Sequence, residues 1–356
     1  MSEKTPVTLQ AHTSDEVDLR ELLLVLWRQK LFILLVTGAF AVAGIVYAMT
    51  ARQVWTSQAV ISEPSVSQVA ALQLTVDKLQ AIMSGSSLTT PDFSSLERPA
   101  IYQSFISAFN SMNNKRAFLT QEGVYAAEVE KFDISDKRDG RAIMSKLAES
   151  VSAKIQDKTS QEMTLSFSAE TPELALQRLE KYIDFVQQQQ LKSKNAELQF
   201  IWQNKIKTLT ALYDSAKADT LLKRQVELQR VGYSLRISKA AGVDVPLERI
   251  DSKEVFNIQL GAKGLSEKLK ILNEIKDPEL LNPELGKIRQ QLSGLKALKL
   301  KNADFQSFNL IDSPEEPFTR DKPKRPLIIV LATLLGGILG VAIVLFRHAF
   351  HRSEGS

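Results

Sequence analysis

Two uncharged apolar runs, one near each end, constrain this chain more than any other feature. Leu31 to Met49 (LFILLVTGAFAVAGIVYAM) and Leu327 to Phe346 (LIIVLATLLGGILGVAIVLF) each approach the ~20 residues that a helix needs to cross ~30 Å of hydrocarbon. The long interval between them is polar enough to bring the mean hydropathy slightly below zero, so a bundle of many spans is excluded. A core helix of a soluble protein can be as apolar, but two such runs flanked by Arg and Lys argue for membrane spans. A cleaved signal peptide has a short basic lead and an apolar stretch of only ~7–15 residues. Here about thirty residues, several of them acidic, precede a longer run, so the first span is expected to stay as an anchor.

Charge suggests the sidedness. Arg28 and Lys30 precede the first span and only Arg52 follows closely, which favours a cytoplasmic N-terminus. Around the second span the vote is mixed: Arg320, Lys322, Lys324 and Arg325 precede it, and Arg347 and Arg352 follow. The first helix usually dominates, so the central residues are expected outside the cytoplasm and both tails inside. The chain has no cysteine, which removes disulfides and thiolate chemistry and suits an oxidising compartment. Its net charge of +4 is diffuse, and no basic block points to nucleic acid.

Between the spans, Val54 to Ser62 (VWTSQAVIS) reads as a strand ended by Pro64, and Val66 to Met83 has helical spacing. Ser84 to Ser95 has a loop's composition. Pro99 opens a helix with Ile101, Phe105, Ile106 and Phe109 on its apolar face, a further helix is predicted from Gly140 to Lys158, and Met163 to Ser168 alternates as a second strand. Thr171-Pro172-Glu173 is then a strong helix start, and only Gly232 interrupts a run without proline or glycine up to Gly242. Roughly 70 residues at ~1.5 Å each make a rod of about 100 Å. Leu176, Leu179, Ile183, Val186, Leu198, Trp202, Ile206, Leu209, Leu228, Val231 and Leu235 form a narrow stripe along it. Leu265–Ile275 and Leu285–Leu300 are expected to return along that stripe, leaving part of it for neighbouring protomers, and Asp304–Ile311 (DFQSFNLI) reads as a third strand pairing with the first. The run Gln187–Gln190 is expected on a solvated helix face, and the acidic stretch from Asp15 to Glu21 on an interfacial helix.

The chain accordingly divides into a tail (1–30), a first span (31–50), an α/β base (51–171), a helical arm with return helices (172–303), a closing strand and junction (304–326), a second span (327–346) and a tail (347–356). The expected fold is an α+β membrane protein, with two transmembrane helices flanking a periplasmic α/β base that carries a very long helical hairpin. In the second span Gly336 and Gly340 stand in small-xxx-small register, which lets helices approach closely. Pro314, Pro317, Pro323 and Pro326 crowd into the segment before it, which is expected to be a non-helical, stiff connector.

The histidines decide most of the chemistry. His12, His348 and His351 all lie in the tails, so Ser–His triads, Cys–His pairs and imidazole-bound metals are excluded between the spans. No cofactor is expected. A carboxylate pair acting on a glycosidic bond, or a Ser–Lys pair, would still be available. Leu260–Leu265 (LGAKGL) lacks the Lys-Ser/Thr ending of a phosphate cradle and reads as a turn between helices.

Together these features resemble the Wzz chain-length determinants, or polysaccharide co-polymerases. Val17-Asp18-Leu19 with Leu26-Trp27-Arg28 is similar to the family's lead-in, Trp55-Thr56-Ser57 with Ala59 to its first strand, and Leu260-Gly261-Ala262 to a turn segment. Ser313-Pro314 through Pro326 and the glycine-bearing span resemble its proline-rich junction, and Tyr233-Ser234-Leu235 with Ala240-Ala241-Gly242 the branch giving very long chains. The resemblance implies a non-catalytic inner-membrane regulator of O-antigen length in lipopolysaccharide, working as a homo-oligomer beside a Wzy-type polymerase and lipid-linked glycan. It also implies the class without a cytoplasmic kinase domain, because the chain stops ten residues after Phe346. A glycan-processing enzyme with a carboxylate pair is the alternative; a sensory receptor would need a signalling domain after the second span.

Overall fold

A computed structural model describes residues 19–84, 91–134, 136–156, 161–247 and 255–353. His12, residues 15–18 of the acidic stretch and most of the loop after Ser84 lie outside the described residues, as do the side chains of His348 and His351.

A short helix α1 (Leu19–Arg28) leads into α2 (Lys30–Thr50), which holds the first apolar run. The chain then enters the sheet as β1 (Trp55–Ser62) and continues through α3 (Val66–Met83), α4 (Arg98–Asn110), α5 (Met112–Gln121), α6 (Val124–Lys131) and α7 (Lys137–Glu149) to the strands β2 (Val151–Ile155) and β3 (Met163–Ala169). The rod α8 (Pro172–Ala240) is a single helix of 69 residues, and α9 (Gly261–Glu274) and α10 (Pro283–Ala297) return along it. A short strand β4 (Asn309–Asp312) precedes α11 (Arg325–Ser353), which carries the second apolar run. The four strands run in the order β2-β3-β1-β4, with every neighbouring pair antiparallel. The strand that leaves the first span therefore pairs with the one that leads to the second, as the sequence suggested.

Strand β3 alternates buried and half-buried residues along its whole length, which is the period of a sheet with one face on a core. Leu165 and Phe167 meet Ala59 and Ile61 of β1, and α4, α5 and the first turns of α8 cover them with Phe105, Phe109, Phe118 and Tyr182. A second core lies further along the rod. There Leu72 and Leu79 of α3, Leu198 and Leu209 of α8, and Leu292 and Leu295 of α10 pack together. Each such side chain, fully buried, contributes about 1.5–3 kcal/mol of transfer free energy. The start of α8 follows its sequence: the Thr171 hydroxyl accepts from the Leu174 N–H (3.2 Å), and Pro172 occupies a position where a missing N–H costs nothing.

Four expectations fail, each for a local reason. The helix predicted from Gly140 to Lys158 stops at Glu149, because Val151 and Ala153 pair with Phe167 and Leu165 in β2. Asn110 holds that strand's outer edge: its amide donates to the Ala153 carbonyl and accepts from the Ala153 N–H, both at 3.0 Å. The run Gln187–Gln190 is solvated only in part, at exposed Gln188. Gln187 donates to the Phe305 carbonyl (2.7 Å) and accepts from the Ser307 N–H (3.2 Å), while Gln190 is buried against Ser104. For the same reason the third strand starts late, at Asn309 rather than Asp304. Asn195 donates to the Ala303 carbonyl (2.9 Å) and accepts from its N–H (2.7 Å), so residues 303–307 bond to the rod's side-chain amides instead of to β1. Lastly, Pro326 is not part of a non-helical connector: it is the second residue of α11, where proline is tolerated.

Candidate functional site

A carboxylate pair is the arrangement that an enzyme on this scaffold would need. Glu128 at α6 and Glu170 at the end of β3 come together at the base, beside the exit of the first span. Arg52 bridges both, at 2.6 Å to each, and Lys131 lies 3.0 Å from Glu170. The hydrogen bond from Lys131 holds the Glu170 carboxyl below the usual carboxylate range, with the Arg52 and Lys131 charges adding to it against the opposing effect of burial. Arg178, in the second turn of the rod, is pushed down by desolvation and held up by the charges of Glu170 and Glu128. A general acid needs its pKa raised toward neutrality. This cluster does the reverse: it keeps Glu170 ionised and ties the exit of the first span to α6 and to the end of β3. Sequence reasoning missed it, since its members are scattered over more than a hundred positions with no periodic signal.

Elsewhere the displaced carboxylates also move down. Backbone and side-chain bonds from Ser94 lower Asp92, and the helix start at Thr171 lowers Glu173. Burial opposes the ionised form of Glu197, but the bonds from Ser95 and Lys194 outweigh it. For a Ser–Lys route the amine of Lys115 is pushed down by burial, yet it donates to the Val151 carbonyl (2.7 Å) and so supports β2. The LGAKGL segment opens α9. Gly261 sits at φ +67°, with its hypothetical Cβ 2.6 Å from the Val245 carbonyl, and the next N–H groups bond to Val243 and Asp244. Those donors are occupied, so the segment is a close-packed turn and no phosphate cradle. Among the described residues no group of His, Cys, Asp and Glu is placed to hold a metal.

The remaining sequence-picked residues fall at three separate places. Gly336 and Gly340 lie where α11 packs on α2 of the same chain. A Cβ on Gly336 would stand 2.7 Å from the Phe40 Cβ, and one on Gly340 would stand 3.3 Å from the Ile33 Cα. Gly44 completes the seam from the other helix, where a Cβ on it would stand 2.6 Å from the Ala332 Cβ. Gly44 and Ala48 are the two buried residues of α2, four apart, and that small-xxx-small signal was readable in the first span. Trp202 lies mid-rod, half-buried, and its indole N–H donates to the Leu295 carbonyl of α10 (2.9 Å). Its neighbour Phe200 faces out, 68% exposed. The prolines line the way back to the membrane: the Glu315 carbonyl, between Pro314 and Pro317, accepts from the Ser57 hydroxyl (2.8 Å), and Lys322, before Pro323, pairs with Val54.

Comparison with known proteins places this geometry. The family model described as chain length determinant protein matches residues 15–120, from the lead-in to the first span into α5. A chain length determinant protein of Escherichia coli K12 is 27% identical over 98% of this chain and 97% of its own length. Over nearly its whole length the chain is similar to chain length determinant proteins. Another relative in the same organism, named ferric enterobactin transport protein FepE, is 29% identical over 96% of this chain and 91% of its own. A second family model, the G-rich domain described on tyrosine kinases, matches residues 287–349. That stretch runs from within α10 through β4 and the junction into α11. The fold agrees with that of a solved full-length bacterial polysaccharide co-polymerase, with a TM-score of 0.61, 22% identity, and coverage of 96% of this chain and 100% of the other.

Proposed function

We propose that this protein is a non-catalytic regulator of surface polysaccharide length, setting the modal length of lipopolysaccharide O-antigen. It sits in the inner membrane with both tails in the cytoplasm and the base and rod in the periplasm. There it works as a homo-oligomeric scaffold beside a separate Wzy-type polymerase that extends a lipid-linked glycan. The observation that carries this reading is the full-length correspondence, spans, base and rod together, to a relative named for chain length determination. The chemistry supports it, since Glu170, in the most enzyme-like carboxylate pair, is held ionised by cations.

A glycan ladder from a deletion strain, with and without the complementing gene, tests the reading. Loss of the protein is expected to replace a modal length by a broad, unregulated distribution with total polymer maintained. An unchanged ladder accompanied by loss of ferric enterobactin-dependent growth would favour the transport name carried by the other relative. Uniformly longer chains in the deletion strain would point instead to a glycan hydrolase.

A further inference from the structure

At the mouth of the membrane hairpin the junction forms an open cleft whose chemistry the chain-length reading does not use. Trp55, Phe318, Arg320, Lys324, Arg325 and Leu327 line it. Its depth in the membrane is fixed on both sides. Leu327 is the first residue of the second apolar run, and the Arg325 guanidinium donates to the Ala48 carbonyl (3.2 Å) near the end of α2. The cleft therefore stands at the boundary between hydrocarbon and water.

Two features there are unexplained by folding. Phe318 is 93% exposed, more than any other large apolar side chain described, and it touches no core. Phenylalanine left in water gains nothing, whereas an aromatic ring at a bilayer interface is favoured. Arg320 and Lys324 form no ion pair among the described residues, although Asp312, Glu315, Glu316 and Asp321 belong to the same segment. None of those carboxylates lines the cleft. On the sidedness proposed above, these cations also stand on the translocated flank, where the positive-inside bias gives no reason for them.

We infer that this cleft binds the phosphate headgroup of an anionic phospholipid, with Arg320 and Lys324 on the phosphate and Phe318 and Trp55 beside the glycerol and upper acyl chain. Charge complementarity selects the anionic headgroup, and the level of Leu327 places the acyl chains in hydrocarbon. The site would fix the tilt and depth of the hairpin and, through the Val54–Lys322 pairing, the approach of β1 to the membrane. The inference does not rest on the chain-length reading, because the cleft meets a leaflet whatever the rod does.

The test uses the full chain in micelles doped with either phosphatidylglycerol or phosphatidylcholine, with retained lipids counted by native mass spectrometry. The unaltered protein is expected to retain phosphatidylglycerol preferentially. The double variant Arg320→Gln/Lys324→Gln should lose about 30-fold of that preference, as expected from two basic groups at a membrane surface. Lys207→Gln/Lys217→Gln, an equal charge change on exposed rod positions, should lose none. Phe318→Ser should weaken retention of both lipids, and ~1 M salt should erase the preference for the anionic one. An undiminished preference in the junction double variant, or an equal loss in the rod variant, would overturn the site. Complete displacement of phosphatidylglycerol by an equimolar polyprenyl diphosphate would also overturn the phospholipid assignment, in favour of a diphosphate-bearing lipid.

Discussion

Three side-chain amides hold backbone in this molecule that no neighbouring strand pairs. Asn110 clamps Ala153 on the edge of the sheet, and Gln187 and Asn195 clamp the returning chain at Phe305, Ser307 and Ala303. A buried backbone group left without a partner costs about 1–3 kcal/mol. Asn195→Ala orphans both polar groups of buried Ala303, so it should destabilise the chain by roughly 2–4 kcal/mol. Gln199→Ala, which removes only an exposed bond to Asn302, should stay within about 0.5 kcal/mol. Thermal unfolding followed by circular dichroism, at one protein and detergent concentration, compares the two. A second residue-scale prediction concerns alkaline pH. Burial, and then the charges of Glu162 and Glu63, push the Tyr102 phenol up to about 12, while its hydroxyl lies within bonding reach of the Ile61 and Gln161 carbonyls. Its folded pKa is raised above the unfolded value near ~10, so its contribution is fully present below about pH 10. It is lost as the pH rises toward about 12. Tyr102→Phe should flatten the fall in stability over that window, and an unchanged alkaline slope would count against the assignment.

At the scale of elements, the membrane hairpin is the sharpest case of sequence chemistry finding its partner. The small residues of both helices face one another within one protomer, so the glycines expected to serve packing are used by the chain's own two spans. Gly336→Leu must move Phe40, whereas Gly38→Ala meets nothing within 4 Å and should be silent. The cysteine-free background offers a direct readout through Thr37→Cys with Gly337→Cys, a pair whose Gly337 Cβ would lie 3.8 Å from the Thr37 hydroxyl. Oxidation is expected to give a crosslinked species of monomer size, with a yield reduced several-fold by adding Gly336→Leu; a covalent dimer instead would mean that the seam joins two protomers. How far each element was legible follows from the range of its signal. Spans, rod, first strand and the start at Thr171 are written in local runs and caps, and those could be read directly. Strand β2 could not, because Val151–Ile155 is short and follows a helix without a proline or glycine break, and its pairing with β3 is decided in three dimensions. The polar clamps were misread for a related reason: glutamine and asparagine look alike in sequence whether they face water or a backbone carbonyl 108 positions away. Of the site residues, the glycines announced close packing but not their partner, and the Arg52–Glu128–Glu170 cluster had no local signature at all.

Across the whole molecule, the two cores leave the far part of the rod under-covered. Beyond Leu209 the buried positions of α8 are Thr220, Val231, Ser234 and Ser238, mostly small or polar, while Leu222, Val226, Tyr233 and Ile237 are exposed on it. An apolar stripe of that kind on a soluble arm marks an interaction surface. In the proposed homo-oligomer the neighbouring rod is its natural cover, together with Phe200 lower down. Trp202 is a poor probe of that contact, since its indole is committed to Leu295 and Trp202→Asp would damage the protomer first. Val226→Asp and Phe200→Asp are the cleaner changes, expected to leave the protomer folded and to lower its assembly order in detergent, as read by mass photometry. A chain that stays at the unaltered assembly size with both substitutions would remove the rod from the interface. The same variants bear on mechanism. If length is set by the geometry of the assembly, they should shift the modal length in the glycan ladder while total polymer stays constant, and the shift should grow with the loss of assembly. Single Ala substitutions at the ionisable residues, Glu128 and Glu170 included, should likewise grade the distribution and never reproduce the unregulated ladder of the deletion. Removal of a general acid or base from an enzyme instead costs on the order of 10²-fold or more in one step. A well-expressed Glu128→Ala protein that behaves like the deletion, matched by Glu170→Ala alone among the series, would turn this cluster from a brace at the membrane into an active site.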